Sequence, residues 1–170
     1  MGLAKHLLEA VDGVRVIATY RNSATASKLL DLSSTYSKER LLLVQLDTTS
    51  EASYKSATSE LSEAGVKSLD VVVANAGMVS IAPTLTATAA DTMQVLNTNV
   101  VGSLLTVQAF HGLLTADKEG AKLAVFTSAT MGSIEKTIGK YQIKSSQAKL
   151  ITMNNFLSLS ICFHSYAFFC

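Results

Sequence analysis

The polar residues best placed to do chemistry in this chain stand where apolar runs stop. Asn75-Ala76-Gly77 follows Leu69-Asp-Val-Val-Val-Ala74. Gly77 lets a backbone approach a ligand closely, and Asn75 can hydrogen-bond across neighbouring strands. The plainer account is a tight turn after a buried strand. Asp47 closes Arg40-Leu-Leu-Leu-Val-Gln-Leu46 and suits a turn or the cap of a following helix. Arg21 ends Val14–Tyr20, where a cation is otherwise a solvated loop charge. Metal chemistry has no support: His6, His111 and His164 lie far apart, without ligand-like spacing. Cys162 and Cys170 both fall in the last nine residues, which excludes a disulfide scaffold and a Cys-rich metal site.

Alternating elements must position these residues. Leu3, Leu7, Leu8 and Val11 have helical spacing, and Asp12-Gly13 makes a turn. Val14–Tyr20, Arg40–Leu46, Leu69–Ala74 and Lys122–Thr127 read as buried strands. Thr25–Ser34, Ser50–Ala64 and Ala89–Leu114 read as helices, with Ser50 a cap and Gly102 an interruption. Short apolar strands separated by helix-length segments mean βαβ units and a parallel sheet covered on both faces.

Composition narrows the class. At 170 residues, one domain is the prior, and 48% apolar against 16% charged residues supports a sizeable core. The formal net charge of +1 argues against nucleic acid or a polybasic membrane surface as partner. No apolar run reaches the ~18 residues expected of a membrane span. With no targeting segment at Met1–Leu8, the chain reads as cytoplasmic.

Four signals in order, three after strands and one in a helix, carry a resemblance. Asn75-Ala76-Gly77, Asn99-Val-Val-Gly102, Thr127-Ser128 and Gly132-Ser133 together resemble the short-chain dehydrogenase/reductase family. Ile17-Ala-Thr-Tyr-Arg-Asn22, Leu46-Asp-Thr48 and Gly132-Ser-Ile134 are most similar to its sniffer-like and fungal ketoreductase branch. The similarity runs from Gly2 to about Asn154. It implies a three-layer α/β/α Rossmann-type sheet that binds a nicotinamide dinucleotide across the carboxyl ends of its strands. In the family, Gly2, Arg21, Asp47, Asn75, Ala76 and Gly77 would face the cofactor. Thr19-Tyr20-Arg21-Asn22 contains no acid for a ribose 2′-hydroxyl, so its cation favours NADP over NAD. Ser128 would orient the substrate carbonyl, Tyr141 would give the proton, and Lys144 would be an imperfect Tyr and ribose partner. Asn99 would hold a water for proton relay, with Asn97 incidental. The implied partner is a small carbonyl or alcohol substrate, and nothing opposes a homo-oligomer.

The chain also departs from that pattern. Gly2-Leu3-Ala4 resembles the end of the family's Gly-x-x-x-Gly-x-Gly loop, so the first strand and the C-terminal strands are expected to be lacking. In the order 3-2-1-4-5 the first strand is central. Val14–Tyr20 and Leu69–Ala74 should then flank an empty slot. The family's Tyr-x-x-x-Lys becomes Tyr141-Gln-Ile-Lys144, with Ser145 where the lysine belongs. Lys144 is displaced by about 100° around a helix. A second register puts Ile143 and Gln147 at those positions, and anchoring on Gly132 replaces Ser128 by Ala129. Residues 1–155 are expected to form a partial dinucleotide-binding domain and 156–170 an atypical apolar tail, as in a fragment. Two readings follow: an NADP-dependent carbonyl reductase or alcohol dehydrogenase, weak or inactive as this chain, or a non-catalytic degenerate dinucleotide binder. An interaction module docking through the tail is a third.

Overall fold

The computed structural model describes residues 2–79, 85–117, 122–128 and 167–169. The elements follow the alternation expected from the sequence. They are α1 (Gly2–Ala10), β1 (Val16–Tyr20), α2 (Ser27–Leu32), β2 (Leu41–Gln45), α3 (Glu51–Glu63), β3 (Val71–Ala74), α4 (Ala89–Leu96), α5 (Gly102–Leu114), β4 (Leu123–Phe126) and β5 (Ala167–Phe169). The strands form one sheet in the order β2-β1-β5-β3-β4, and all neighbours are parallel. Two buried clusters fill the spaces above and below it. Ala4 and Leu8 of α1 and Leu32 of α2 meet Val16, Ala18 and Val73 on one face. Tyr54, Ala57 and Leu61 of α3 and Phe110 and Leu114 of α5 meet Ile17, Val44 and Val72 on the other. The alternation of Val16, Ile17 and Ala18 between these clusters is the two-residue period of a strand buried on both sides.

One expectation is corrected. The slot between β1 and β3 is not empty, and a strand does follow Thr127. Ala167–Phe169 lies in that slot with Phe168 in register with Ile17 on one side and Val72 on the other. The physical reason lies in the two flanking edges, whose buried amides and carbonyls require a parallel partner. Backbone pairing does not ask where in the chain that partner comes from. Ala167–Phe169 thus holds the central position of the 3-2-1-4-5 order.

Local signals set the helix ends. The Ser50 hydroxyl accepts from the Ser53 amide at the start of α3. Asn22 caps a short 3-10 turn at Ser23–Thr25, so the regular helix begins only at Ser27 rather than Thr25. Gly13, at φ +74°, makes the turn into β1 that Asp12-Gly13 suggested. The segment Ala89–Leu114 stays helical through Gly102, but with a π turn at Asn97–Val101. Such turns often mark functional positions within helices. Gly102 is there for space: a Cβ would lie 2.8 Å from the Thr48 carbonyl oxygen. The same residue's carbonyl accepts from the buried Tyr54 hydroxyl at 2.8 Å, which locks α3 to the start of α5.

Candidate functional site

Parallel strands bring their following loops to one edge, and the candidate residues gather there. Arg21 comes directly after β1, Asp47 two residues after β2, Asn75–Gly77 directly after β3, and Ser128 two residues after β4. Asn99 approaches from the π turn between α4 and α5. Gly2 is the first residue of α1 and is exposed.

The loops after β3 and β4 are tied together and to the helix. The Thr127 hydroxyl donates to Asn75 Oδ1 at 3.0 Å, and the Thr127 amide donates to the Ala74 carbonyl. Asn75 therefore bridges two strand ends next to Ser128. The buried Asn99 amide holds the loop further along. Its Oδ1 accepts from the Met78 amide at 2.8 Å, and its Nδ2 donates to the Met78 carbonyl at 2.8 Å. A side-chain amide thus satisfies both backbone groups of a residue that has left the sheet, as a neighbouring strand would. Gly77 sits against this clamp, where a Cβ would lie 3.4 Å from Asn99 Oδ1. The Thr98 hydroxyl adds a contact to Met78 Sδ at 3.4 Å.

The other half of the edge is built on β1 and β2. Asp47 Oδ1 accepts from the Thr49 amide at 2.9 Å and the Thr49 hydroxyl at 2.7 Å. These bonds, with a smaller contribution from the Arg21 charge, hold the Asp47 carboxyl below the usual carboxylate value. Of the structural alternatives for Asp47, the turn is the one observed, and Ser50 is the helix cap. Arg21 is exposed, and its carbonyl accepts from Gln45 Nε2 at 3.1 Å. It borders a cleft of about 440 Å³ lined by Thr19–Asn22 and Thr25–Leu29. Among the described residues Arg21 and Lys28 are the charged members of this lining, and no acid faces it.

Tyr141 and Lys144 lie outside the described residues, as do Ala129, Ile143 and Gln147. Among the described residues no group of histidine, cysteine and carboxylate side chains could hold a metal ion. No described helix is long and apolar enough to cross a membrane. Sequence reasoning missed Met78, Thr127 and Lys28. Met78 takes part mainly through its backbone, which leaves no trace in residue type. Thr127 was visible only as the neighbour of Ser128.

The family model for short chain dehydrogenases matches residues 1–147. The chain belongs to the short-chain dehydrogenase family. It is 32% identical over 158 residues to the short-chain dehydrogenase RED3 of Pyricularia oryzae, covering 91% of this chain and 62% of that one. It is also 32% identical over 129 residues to the norsolorinic acid ketoreductase of Aspergillus parasiticus, covering 73% and 48% respectively. This dehydrogenase chain therefore spans about half to three fifths of the length of those curated relatives. Among solved structures, the NADPH-bound carbonyl reductase from chicken fatty liver is 29% identical with a TM-score of 0.76. That likeness covers 91% of this chain and 65% of the carbonyl reductase. The short-chain dehydrogenases are oxidoreductases, and the edge described above is where a sheet of this order places a nicotinamide dinucleotide.

Proposed function

We propose that this chain is an NADP-binding short-chain dehydrogenase of the carbonyl reductase or alcohol dehydrogenase type, with weak turnover at best. The observation that carries the cofactor choice is the cleft beside β1, which among the described residues has Arg21 and Lys28 and no acid. An NAD site would place a carboxylate here to accept from the ribose 2′-hydroxyl, whereas two cations suit a 2′-phosphate. The residues present fit the dinucleotide in a second respect. Gly77 keeps the loop after β3 free of side-chain bulk, and the Asn99 clamp fixes that loop. Arg21 and Lys28 would hold the 2′-phosphate, Asp47 the adenine side, and Asn75–Gly77 the ribose side, with Gly2 near the phosphates.

When bound, the nicotinamide supplies the hydride. The chain's own contribution is position and proton transfer. The Ser128 hydroxyl would donate to the substrate carbonyl oxygen. The Tyr141 hydroxyl would deliver the proton, helped by the Lys144 charge. Asn99 acts as a positioning residue through the loop clamp, in addition to the relay that the family resemblance implies. Weak turnover is expected from the spacing Tyr141-Gln-Ile-Lys144, which puts Ser145 where the family's lysine belongs and Lys144 about 100° from that position around a helix. A non-catalytic dinucleotide binder of the same fold is the second reading, and the same spacing favours it.

Fluorescence titration with NADPH and NADH tests the cofactor assignment. NADPH should bind at least about tenfold tighter, since a charge-assisted bond is worth roughly 1.5–3 kcal/mol and 1.4 kcal/mol is tenfold. Arg21→Ala should remove most of that preference and leave NADH affinity nearly unchanged. Equal affinities in the parent chain would end the proposal for Arg21. Turnover is checked by following NADPH oxidation with a panel of ketones and aldehydes. Ser145→Lys should raise the rate by up to about 10²-fold, the lower end of general-acid catalysis. Brisk turnover by the parent chain would refute weak activity, and no gain in the variant would favour the non-catalytic reading.

A further inference from the structure

The opposite edge of the sheet carries a cationic cavity that the dinucleotide does not use. Arg15 immediately precedes β1, and the loop Gly65–Leu69 leads from α3 to β3. Between them lies a cavity of about 210 Å³, also bounded by Ile17. Among the described residues its charged lining is Arg15 and Lys67, with no carboxylate facing it. The volume is several times the ~30 Å³ share of one liquid water, enough for a phosphate-sized group.

One side-chain donor here is unmet. Arg15 Nε is buried with no hydrogen-bond partner, and no ion pair to Arg15 is formed among the described residues. Gly65, at φ +71°, turns the chain so that the Gly65 and Val66 amides bond back to the end of α3. The Leu69 amide donates to the Leu113 carbonyl. Among the described residues the Lys67 and Ser68 amides in the middle of the loop make no such bond. Two cationic residues, Arg15 and Lys67, and the hydroxyl-bearing Ser68 thus border one small volume. Glutamates compete for Arg15 from its other side, where Glu39, Glu60 and Glu63 line an adjoining cleft. Glu39 feels the Arg15 charge, but its carboxyl is held low first by the Ser37 hydroxyl. A buried donor without an acceptor is unfavourable in any folded protein, and an oxyanion in the cavity offsets that cost.

We propose that this cavity is a second anion site, taking a tetrahedral oxyanion such as phosphate or a phosphate monoester on Arg15 and Lys67. It lies at the amino ends of β1 and β3, away from the cofactor edge, so it fills independently of the dinucleotide. The test is amide NMR of the full chain titrated with inorganic phosphate at constant ionic strength, with chloride as the balancing salt. Saturable shifts are expected at Lys67 and Ser68. Arg15→Gln should weaken them at least about tenfold, and Lys67→Ala, a change at an exposed loop position, should weaken them as well. Arg21→Ala should leave them unchanged. The proposal is overturned by an absence of saturable shifts at Lys67 and Ser68. It is also overturned by shifts that persist in both Arg15→Gln and Lys67→Ala, or by shifts confined to residues 19–29 beside the cofactor cleft.

Discussion

Phe168→Pro is expected to abolish cooperative folding. Residue 168 is the middle of β5, paired with Ile17 of β1 and Val72 of β3. Proline removes the amide from that position and fixes φ near −65°, whereas a parallel strand needs about −120°. On an edge strand such a change is tolerated, but in a central strand it breaks a ladder with neighbours on both sides. The neighbours cannot adapt, because Val16, Ile17, Val72 and Val73 are all at most 4% exposed. Losing the central strand removes a large part of a stability that is only about 5–15 kcal/mol in ordinary domains. Thermal unfolding followed by circular dichroism should show no sharp transition, with the chain recovered mainly as aggregate. An unchanged melting curve would mean that Ala167–Phe169 does not close the sheet.

The second large effect is expected from Lys122→Met. Asp70, at the amino end of β3, is 5% exposed and accepts from Lys122 Nζ at 2.7 Å. Its other oxygen, Oδ2, is buried without a hydrogen bond. Methionine keeps most of the lysine's bulk but leaves Asp70 with no charge partner. Removing one member of a buried pair costs about 3–5 kcal/mol, whereas replacing both members by apolar groups is often nearly neutral. The single variant should therefore unfold at markedly lower denaturant, and adding Asp70→Leu should restore much of the loss. A single variant within 1 kcal/mol of the parent, roughly the value of a surface pair, would show that the ion pair is effectively solvated.

These two positions show what was legible and what was not. The outer four strands announced themselves through unbroken runs such as Val71-Val-Val-Ala74, and their loops carried the candidate residues in order. β5 did not, because Ala167-Phe-Phe169 lies in an apolar stretch with no period and no turn signal after it. Its placement comes from two distant edges that need a partner, which is long-range information. The same holds within the site. Asn99 could be singled out by motif, but its grip on the Met78 backbone could not, since backbone groups are common to all residues. Tyr54 reads as one more apolar position on α3, yet its hydroxyl reaches the Gly102 carbonyl. Asp47 left two structural accounts open from sequence, and only the Thr49 bonds distinguish them.

The placement of β5 has a consequence for how the protein is made. Ala167 comes 41 residues after Phe126, the last residue of β4. A ribosome adding about 5–20 residues per second needs roughly 2–8 s to cover that distance. Throughout that interval β1 and β3 are complete, and both present open apolar edges to the cell. Such edges recruit other strands readily. The hazard to this protein is therefore greatest before Ala167–Phe169 is made, and slower translation of residues 127–166 should lower its soluble yield even though β5 fills the slot between β1 and β3.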